Sequence, residues 1–354
     1  MEKPRLFTVG PTWVRDDVLK EMSRQMFSHR SGDYVELHKE LIAKLKKFLG
    51  TENDVLLYTS SSTGVMESAA RNCISEGGKA LTLICGAFGE RFGEIVEQNG
   101  RKVLREEVDW GKANTPESLD AVLAENNDVE AVTITHCETS TALLNPLKDL
   151  VRVAKQHGVL TLVDAVSSMG GVSIDVNDID VCFFGVQKCM SVPPGLAVAS
   201  VSDKALEKAR EVENRGHYFD FLNLKKYNDK HMVPYTPPIP QMFALSKTLD
   251  IIGEEGRENR FATHRKVSAR VREGVKELGF EIFTDERYLS PTLSCVSVPG
   301  EIDLPDMMSG MRKRGFILAS GYGRIKDSTF RVGNMGNVTM DDVDEMLENL
   351  AEVV

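Results

Sequence analysis

The chain has little of what membrane proteins and nucleic-acid binders require. None of its apolar runs approaches the roughly 18 residues of a membrane-spanning helix. Lysine and arginine form no long block, and 43 basic residues are outnumbered by 53 acidic ones, which argues against a surface built for nucleic-acid phosphates. The stretch MEKPRLFTVGPTW lacks the basic start and apolar core of a signal peptide. We therefore expect a cytoplasmic protein that binds neither membranes nor nucleic acid.

Cysteine and histidine are present without the spacings that give them special roles. The six cysteines form no CxxC pair, and several lie inside apolar runs. In a chain of 354 residues, this is typical of reduced, buried thiols. The seven histidines are scattered, with no HxxxH or Cys/His pattern. We therefore predict neither a disulfide framework nor a metal site.

A regular alternation of short apolar runs and helix-like segments extends from about residue 55 to residue 200. Runs rich in Val, Ile, Leu and Phe, without strict alternation, are typical of strands buried on both faces. Strand–helix alternation predicts an α/β fold, with a mostly parallel seven-stranded sheet and helices on both of its faces. The runs are DVLLYTS, ALTLICG, KVLREEVD, EAVTITH, VLTLVDAV, DVCFFGV and LAVASVS.

The pattern changes after this region. Residues 215–240 are rich in proline, aromatic and polar residues and predict a long ordered loop. A long helix is expected from about residue 241 through residue 274, with a break near residues 253–256. Short strands and helices then predict a smaller C-terminal α+β domain. We place a large ligand-binding domain at 1–250, with an N-terminal substrate-site segment at 1–35, and the small domain at 251–354.

Polar residues follow five of the predicted strands at the ends where ligands bind in such sheets. Each is ordinary when taken alone, because hydroxyls often cap helices and acids often lie in turns. The set includes Ser62, Thr63 and Gly64 after the first strand, Phe88, Thr139, Asp164, Gln187 and Lys188.

Taken together, these residues match the needs of one cofactor, pyridoxal 5'-phosphate. Hydroxyls at a helix N-terminus can bind its phosphate, and Phe88 can stack on its ring. Asp164 can hold the pyridine nitrogen protonated, so that the ring accepts electrons from the substrate. Lys188 can form a Schiff base with its aldehyde. To carry protons the amine must be neutral, so its ordinary pKa of about 10.4 must fall, as burial would cause.

The motifs that carry these residues resemble those of the class V aminotransferases of fold type I, near the alanine–glyoxylate and serine–pyruvate aminotransferases. The resemblance covers nearly the whole chain. Its motifs are FTVGPTWV, HRSGDY, TSSSTGVMESA, THCETSTALLNP, LVDAVSSMGG, GVQKCMSVPPG and FRVGNMG.

The resemblance implies ping-pong transamination between a small amino acid, serine or alanine, and a 2-oxo acid, glyoxylate or pyruvate. It also implies a homodimer whose active sites lie at the subunit interface. The residue roles that it implies are Lys188 as the Schiff-base lysine, Asp164 as the partner of the pyridine nitrogen, Ser62, Thr63 and Gly64 at the phosphate, Phe88 where relatives often stack a tryptophan, Thr139 at the ring oxygen, Gln187 beside the cofactor, Thr236 as a phosphate contact from the neighbouring subunit, and Arg331 with Gly10 at the substrate.

Other functions remain open from the sequence alone. A cysteine desulfurase or lyase needs a mobile thiol, and Cys295 is the cysteine of the predicted small domain, although TLSCVSV indicates a strand. Two aminotransferase variants also remain open, one that uses a phosphonate amine and one that uses a purine-catabolic amine with glyoxylate. The second needs only a change of pocket lining. A non-catalytic scaffold would have no use for Lys188, Asp164 and Arg331 together.

Overall fold

The structure, a computed structural model, describes residues 4–354. Within this range the chain forms fourteen strands, which are β1 (Arg5–Phe7), β2 (Asp54–Tyr58), β3 (Lys79–Ile84), β4 (Lys102–Glu107), β5 (Val129–Thr135), β6 (Cys137–Glu138), β7 (Leu143–Leu144), β8 (Leu160–Asp164), β9 (Val181–Gly185), β10 (Ala197–Val201), β11 (Glu281–Ile282), β12 (Leu293–Ser297), β13 (Phe316–Ser320) and β14 (Thr329–Gly333).

The same range contains twelve α-helices, which are α1 (Asp16–Glu21), α2 (Gly32–Leu49), α3 (Ser62–Cys73), α4 (Ala87–Gln98), α5 (Pro116–Glu125), α6 (Leu147–Gln156), α7 (Asp203–Glu211), α8 (Phe221–Asn228), α9 (Ile239–Glu255), α10 (Arg257–Glu277), α11 (Leu304–Lys313) and α12 (Met340–Ala351). None of these described helices has the length and apolar character needed to cross a membrane.

The larger sheet has seven strands in the order β2–β10–β9–β8–β5–β3–β4. Its neighbours are parallel except at β10, which runs antiparallel to both β9 and β2. These strands are the seven apolar runs of the sequence. The predicted mostly parallel, seven-stranded sheet is therefore confirmed.

Helices cover both faces of this sheet. Successive side chains of each strand point to opposite faces, so each strand contributes to both layers. Along β9, Cys182 and Phe184 pack in the layer that contains α2, α5, α6 and α9. Val181 and Phe183 pack in the opposite layer, with α3, α4, α7 and α8. This double burial explains why the strands read as continuous apolar runs, and it confirms the predicted α/β layering.

A second sheet has the order β1–β13–β14–β12–β11 and packs against α10, α11 and α12. Its edge strand β1 comes from the beginning of the described chain and runs parallel to β13. The predicted smaller α+β region is confirmed. The division into 1–250 and 251–354 stays a prediction, as does the substrate-site segment 1–35, of which residues 1–3 lie outside the described residues.

The sequence pattern predicts a loop at residues 215–240 and a helix break near residues 253–256, and the structure differs at the first of these. The prediction of a loop throughout residues 215–240 is wrong, because that stretch contains α8. The Asp220 carboxylate caps this helix by accepting from the Leu222 N–H at 2.9 Å, and Phe221 and Leu224 are buried. The predicted break in the long helix is confirmed, since α9 and α10 meet at Gly256, whose φ is +84°.

The carboxyl ends of three parallel strands define the edge of interest. Strands β5, β8 and β9 are neighbours, and Asp164 at the end of β8 is in register with Thr135 and with Phe183. The segment that follows β9 therefore emerges beside Asp164, and this segment carries Lys188.

Candidate active site

Lys188 is a buried amine directly after β9, with only 8% of its surface exposed. Its Nζ donates to the main-chain carbonyl of Val9, and the Thr12 hydroxyl donates to the Lys188 carbonyl at 2.9 Å. Burial lowers the pKa of Lys188 to about 8; the nearby Asp164 opposes this shift, and Arg331 adds to it. About half of the amine is therefore neutral near pH 8, as a proton carrier requires.

Gly10 lies against the Lys188 side chain. A Cβ on Gly10 would fall 2.6 Å from Lys188 Cδ and 2.7 Å from Cε, which is closer than carbon atoms approach. The φ of Gly10 is +117°, a conformation that other residues rarely adopt. The predicted substrate-site glycine therefore gives the lysine room.

Asp164 is the buried carboxylate of the site, with 4% of its surface exposed. Its Oδ1 accepts from the Val166 N–H at 2.8 Å, while Oδ2 accepts no hydrogen bond from residues 4–354. Burial raises the pKa of Asp164 to about 7, against the lowering effects of the Val166 hydrogen bond and of Lys188. A buried acid with one free oxygen suits a cationic N–H donor.

The N-terminus of α3 offers unused hydrogen-bonding groups. Ser61 occupies the N-cap position, but its side chain makes no capping hydrogen bond. The buried Ser62 Oγ has no partner within the described chain. Thr63 is exposed, and Gly64 donates its N–H to the Ser61 carbonyl at 3.0 Å. Unpaired donors and the positive end of a helix dipole favour a bound anion.

Gln187 and Ser62 both lie beside Gly185, the last residue of β9. A Cβ on Gly185 would lie 2.6 Å from Ser62 Oγ and would also overlap Gln187 Oε1. The phosphate-binding candidates of α3 and the residue that precedes Lys188 thus lie at one place, although they are far apart in sequence.

Arg331 supplies a buried guanidinium from β14 of the second sheet, with 7% of its surface exposed. Nε and Nη2 donate to the Ser320 carbonyl at 3.0 and 2.8 Å, and Nη1 donates to the Thr139 carbonyl at 3.0 Å. A guanidinium has five N–H donors, so two remain, one on each Nη. Among residues 4–354, no carboxylate lies within ion-pair distance. The two free N–H groups can therefore donate to a carboxylate from outside the chain.

The class V aminotransferase model ("Aminotransferase class-V") matches residues 15–346. The chain belongs to the class V aminotransferase family. An uncharacterized aminotransferase of Methanocaldococcus jannaschii is 39% identical over 94% of this chain and 88% of its own. The serine–glyoxylate aminotransferase of Methylorubrum extorquens is 31% identical, covering 94% of this chain and 86% of its own. The solved alanine–glyoxylate aminotransferase of Nostoc sp. has a TM-score of 0.95 at 26% identity, over 100% of this chain and 96% of that one.

In this aminotransferase, the remaining predicted residues occupy the same edge. Phe88 lies in the first turn of α4, and the Thr139 hydroxyl hydrogen-bonds to the Ser167 hydroxyl at 2.5 Å. Thr236 is exposed, and its carbonyl accepts from the Thr59 hydroxyl at 3.4 Å, next to the end of β2. An exposed residue beside this edge remains accessible to a second subunit. The roles of all three in binding a cofactor stay predictions.

Glu138 is a site residue whose role the sequence does not indicate. Its fully buried carboxylate accepts from the N–H groups of Phe88 and Gly89 at 3.0 and 3.1 Å, and from the Ser140 hydroxyl at 2.6 Å. Burial raises the pKa of Glu138, while these hydrogen bonds oppose the shift. Glu138 therefore caps α4 and fixes the position of Phe88.

Tyr322 and Arg91 are site residues that the sequence patterns do not identify. The Tyr322 ring stacks on Phe88, and the Arg91 guanidinium donates to the Tyr322 hydroxyl at 2.9 Å. GYGRIKD, in which Tyr322 lies, indicates only a turn near the substrate mouth. The only local indication of a role for Tyr322 is an aromatic residue between two glycines. Its contact with Phe88 joins segments more than two hundred residues apart, which no local pattern indicates.

Proposed function

We propose that this aminotransferase uses pyridoxal 5'-phosphate to transfer the amino group of a small amino acid, serine or alanine, to glyoxylate or pyruvate. The observation that carries the proposal is the buried Lys188 amine after β9, next to the strand that ends in the buried Asp164, together with the buried Arg331 guanidinium, which forms no ion pair among residues 4–354. The 31% identity to a serine–glyoxylate aminotransferase and the fold shared with an alanine–glyoxylate aminotransferase support the substrate class.

The residues present fit the cofactor. Ser62, whose buried hydroxyl has no partner in residues 4–354, would bind the phosphate with the N-terminus of α3. Asp164 would use its free Oδ2 to hold the pyridine nitrogen, and Phe88 and Thr139 would contact the ring. Lys188 would hold the aldehyde carbon covalently. When bound, pyridoxal phosphate supplies an electron sink for the substrate carbon.

The chain's own groups then bind, orient and move protons. Arg331 binds the substrate carboxylate through its two free N–H groups, which fixes the direction of the Cα–H bond. Lys188 Nζ would take the proton from the substrate Cα, hold it as an ammonium group, and return it to the reacting molecule. Its lowered pKa keeps a fraction of the amine unprotonated for this task. Burial of the site excludes water, which strengthens the Arg331 contact.

We also propose that the active species is a homodimer. Thr236 would contribute its hydroxyl to the phosphate site of the partner, consistent with its exposure beside Thr59. Val233, three residues before Thr236, is buried and has no side-chain hydrogen-bonding group that could add a second contact.

The desulfurase or lyase alternative is not favoured by the geometry. Cys295 lies in the middle of β12, is fully buried, and donates from Sγ to the Ser140 carbonyl at 3.8 Å. Burial raises the pKa of Cys295 to about 12, so the thiolate that such chemistry needs is disfavoured.

A half-reaction screen tests the proposed function. Each amino acid is added to protein loaded with pyridoxal phosphate, and conversion to pyridoxamine phosphate is measured by chromatography. Alanine or serine should convert the cofactor, and Arg331→Lys should raise the KM for them roughly 10- to 100-fold, because one bidentate, charge-assisted contact is lost. The control Arg287→Lys, at a side chain that is 77% exposed, should behave as wild type. Failure of every small amino acid to convert the cofactor, or sulfide release from cysteine, would contradict the proposal.

A further inference from the structure

Tyr322 lies between two side chains of the proposed site, in the loop after β13. Its ring stacks on Phe88, with a centroid separation of 5.9 Å and an interplanar angle of 22°. The guanidinium carbon of Arg331 lies 5.6 Å from the centroid of the same ring. Tyr322 therefore contacts the side chain proposed to stack on the cofactor and the side chain proposed to bind the substrate carboxylate.

The glycines on either side of Tyr322 allow the loop to pack closely against its neighbours. A Cβ on Gly321 would come within 2.5 Å of Thr329 Oγ1, and one on Gly323 within 2.6 Å of the Trp110 ring. Gly323 also has a φ of +57°. The chain thus fits closely between β14 and Trp110, and this fit determines where the Tyr322 side chain can lie.

Two arginines fasten this loop to α4, the helix that carries Phe88. Arg91 places its guanidinium 4.6 Å from the Phe88 ring centroid and donates to the Tyr322 hydroxyl at 2.9 Å. Arg324 pairs with Glu90 of α4, and with Glu107 at 2.9 Å. The Tyr322 ring is therefore fixed from both ends, although 37% of the residue is exposed.

We propose that Tyr322 is the specificity-determining residue that limits the size of the substrate side chain. The inference rests on the proposed function, in which the substrate carboxylate binds to Arg331 and its Cα faces Lys188. A substrate held in this way lies next to the Tyr322 ring, since that ring covers one face of the Arg331 guanidinium and one face of Phe88. On this proposal, the Tyr322 ring fills the volume that a side chain longer than a methyl or hydroxymethyl group would need.

The first test compares half-reaction rates for alanine, 2-aminobutyrate and 2-aminopentanoate. Wild type should lose rate along this series. Tyr322→Ala should reduce the alanine preference at least roughly tenfold, the usual discrimination of one or two methylenes. Tyr322→Phe should keep the preference, because the ring remains. Tyr288→Ala is the matched control: Tyr288 also has a guanidinium over its ring, at 5.5 Å, and the preference should not change.

A second test does not depend on catalysis. Binding of propanoate, butanoate and pentanoate, the amine-free counterparts of the three amino acids, to the purified protein is measured by calorimetry, with and without added pyridoxal phosphate. Wild type should favour propanoate, and Tyr322→Ala should bring the three dissociation constants together while Tyr288→Ala should not. An unchanged chain-length preference in Tyr322→Ala, by either test, overturns the inference. If no amino acid reacts with any variant, the proposed function fails, and the calorimetric comparison still decides the role of Tyr322.

Discussion

Asp164→Asn should stabilise the cofactor-free protein at pH 8. Burial raises the pKa of Asp164 from 3.8 to about 7, so the folded state holds a proton that the unfolded state has already released. At about 1.4 kcal/mol per pKa unit, the ionised Asp164 costs the folded state up to about 4 kcal/mol above pH 7. The attraction of Lys188 for the carboxylate is already part of this shift, and we expect a net increase of about 2–4 kcal/mol in the free energy of unfolding.

The sign of the effect depends on pH and on the cofactor. A raised carboxyl pKa means that stability is lost as the pH rises from about 4 to about 7, so the advantage of Asp164→Asn should vanish below pH 4. Bound pyridoxal phosphate at 100 times its dissociation constant adds about 2.7 kcal/mol to wild type. The variant should gain less, because it lacks the charge that holds the pyridine nitrogen.

Urea denaturation of wild type and Asp164→Asn measures both effects, at one protein concentration, from about pH 3 to pH 8, with and without pyridoxal phosphate. The expected result is a variant that is more stable without the cofactor at pH 8 and less stabilised by it. The reasoning fails if Asp164→Asn lowers the free energy of unfolding at pH 8 without cofactor. It also fails if the cofactor raises the free energy of unfolding of the variant as much as that of wild type.

Two further substitutions test separate parts of the site. Gly10→Ala should abolish covalent capture of pyridoxal phosphate, because its Cβ would overlap the Lys188 side chain. Gly77→Ala is the control for backbone strain of about 1–2 kcal/mol, since Gly77 has a φ of +71° and nothing lies within 4 Å of the added Cβ. Equal capture by both variants would contradict the steric argument. Ser62→Ala should weaken binding of pyridoxal phosphate roughly tenfold or more while leaving binding of pyridoxal unchanged, since only the former has a phosphate. Equal losses for the two ligands, measured by fluorescence titration, would rule out a phosphate role.

Much of the fold could be predicted because the sheet is buried on both faces. Continuous apolar runs such as DVCFFGV, alternating with helical segments, are typical of strands in a parallel sheet that helices cover on both sides. Parallel strands then bring their carboxyl ends together, so Asp164 and Lys188 could be placed at one edge from the sequence alone.

What could not be predicted depends on short segments and distant contacts. Strand β1 has three residues, too few to show a period, and it forms only because β13 offers a free edge. Helix α8 has eight residues and depends on the Asp220 cap within a stretch whose prolines and aromatics indicate a loop. The Tyr322 contact joins the two sheets, and no local pattern around GYG indicates which ring it will meet.

Lys188 is expected to bond covalently to pyridoxal phosphate. The purified protein is mixed with pyridoxal phosphate, reduced with borohydride to make the linkage permanent, digested, and analysed by mass spectrometry across a pH series. We predict one label per chain on the peptide that contains Lys188, with capture half-maximal near pH 8, where the pKa of that amine lies, and no label in Lys188→Ala. A label on another lysine, or full labelling of Lys188→Ala, would contradict this claim.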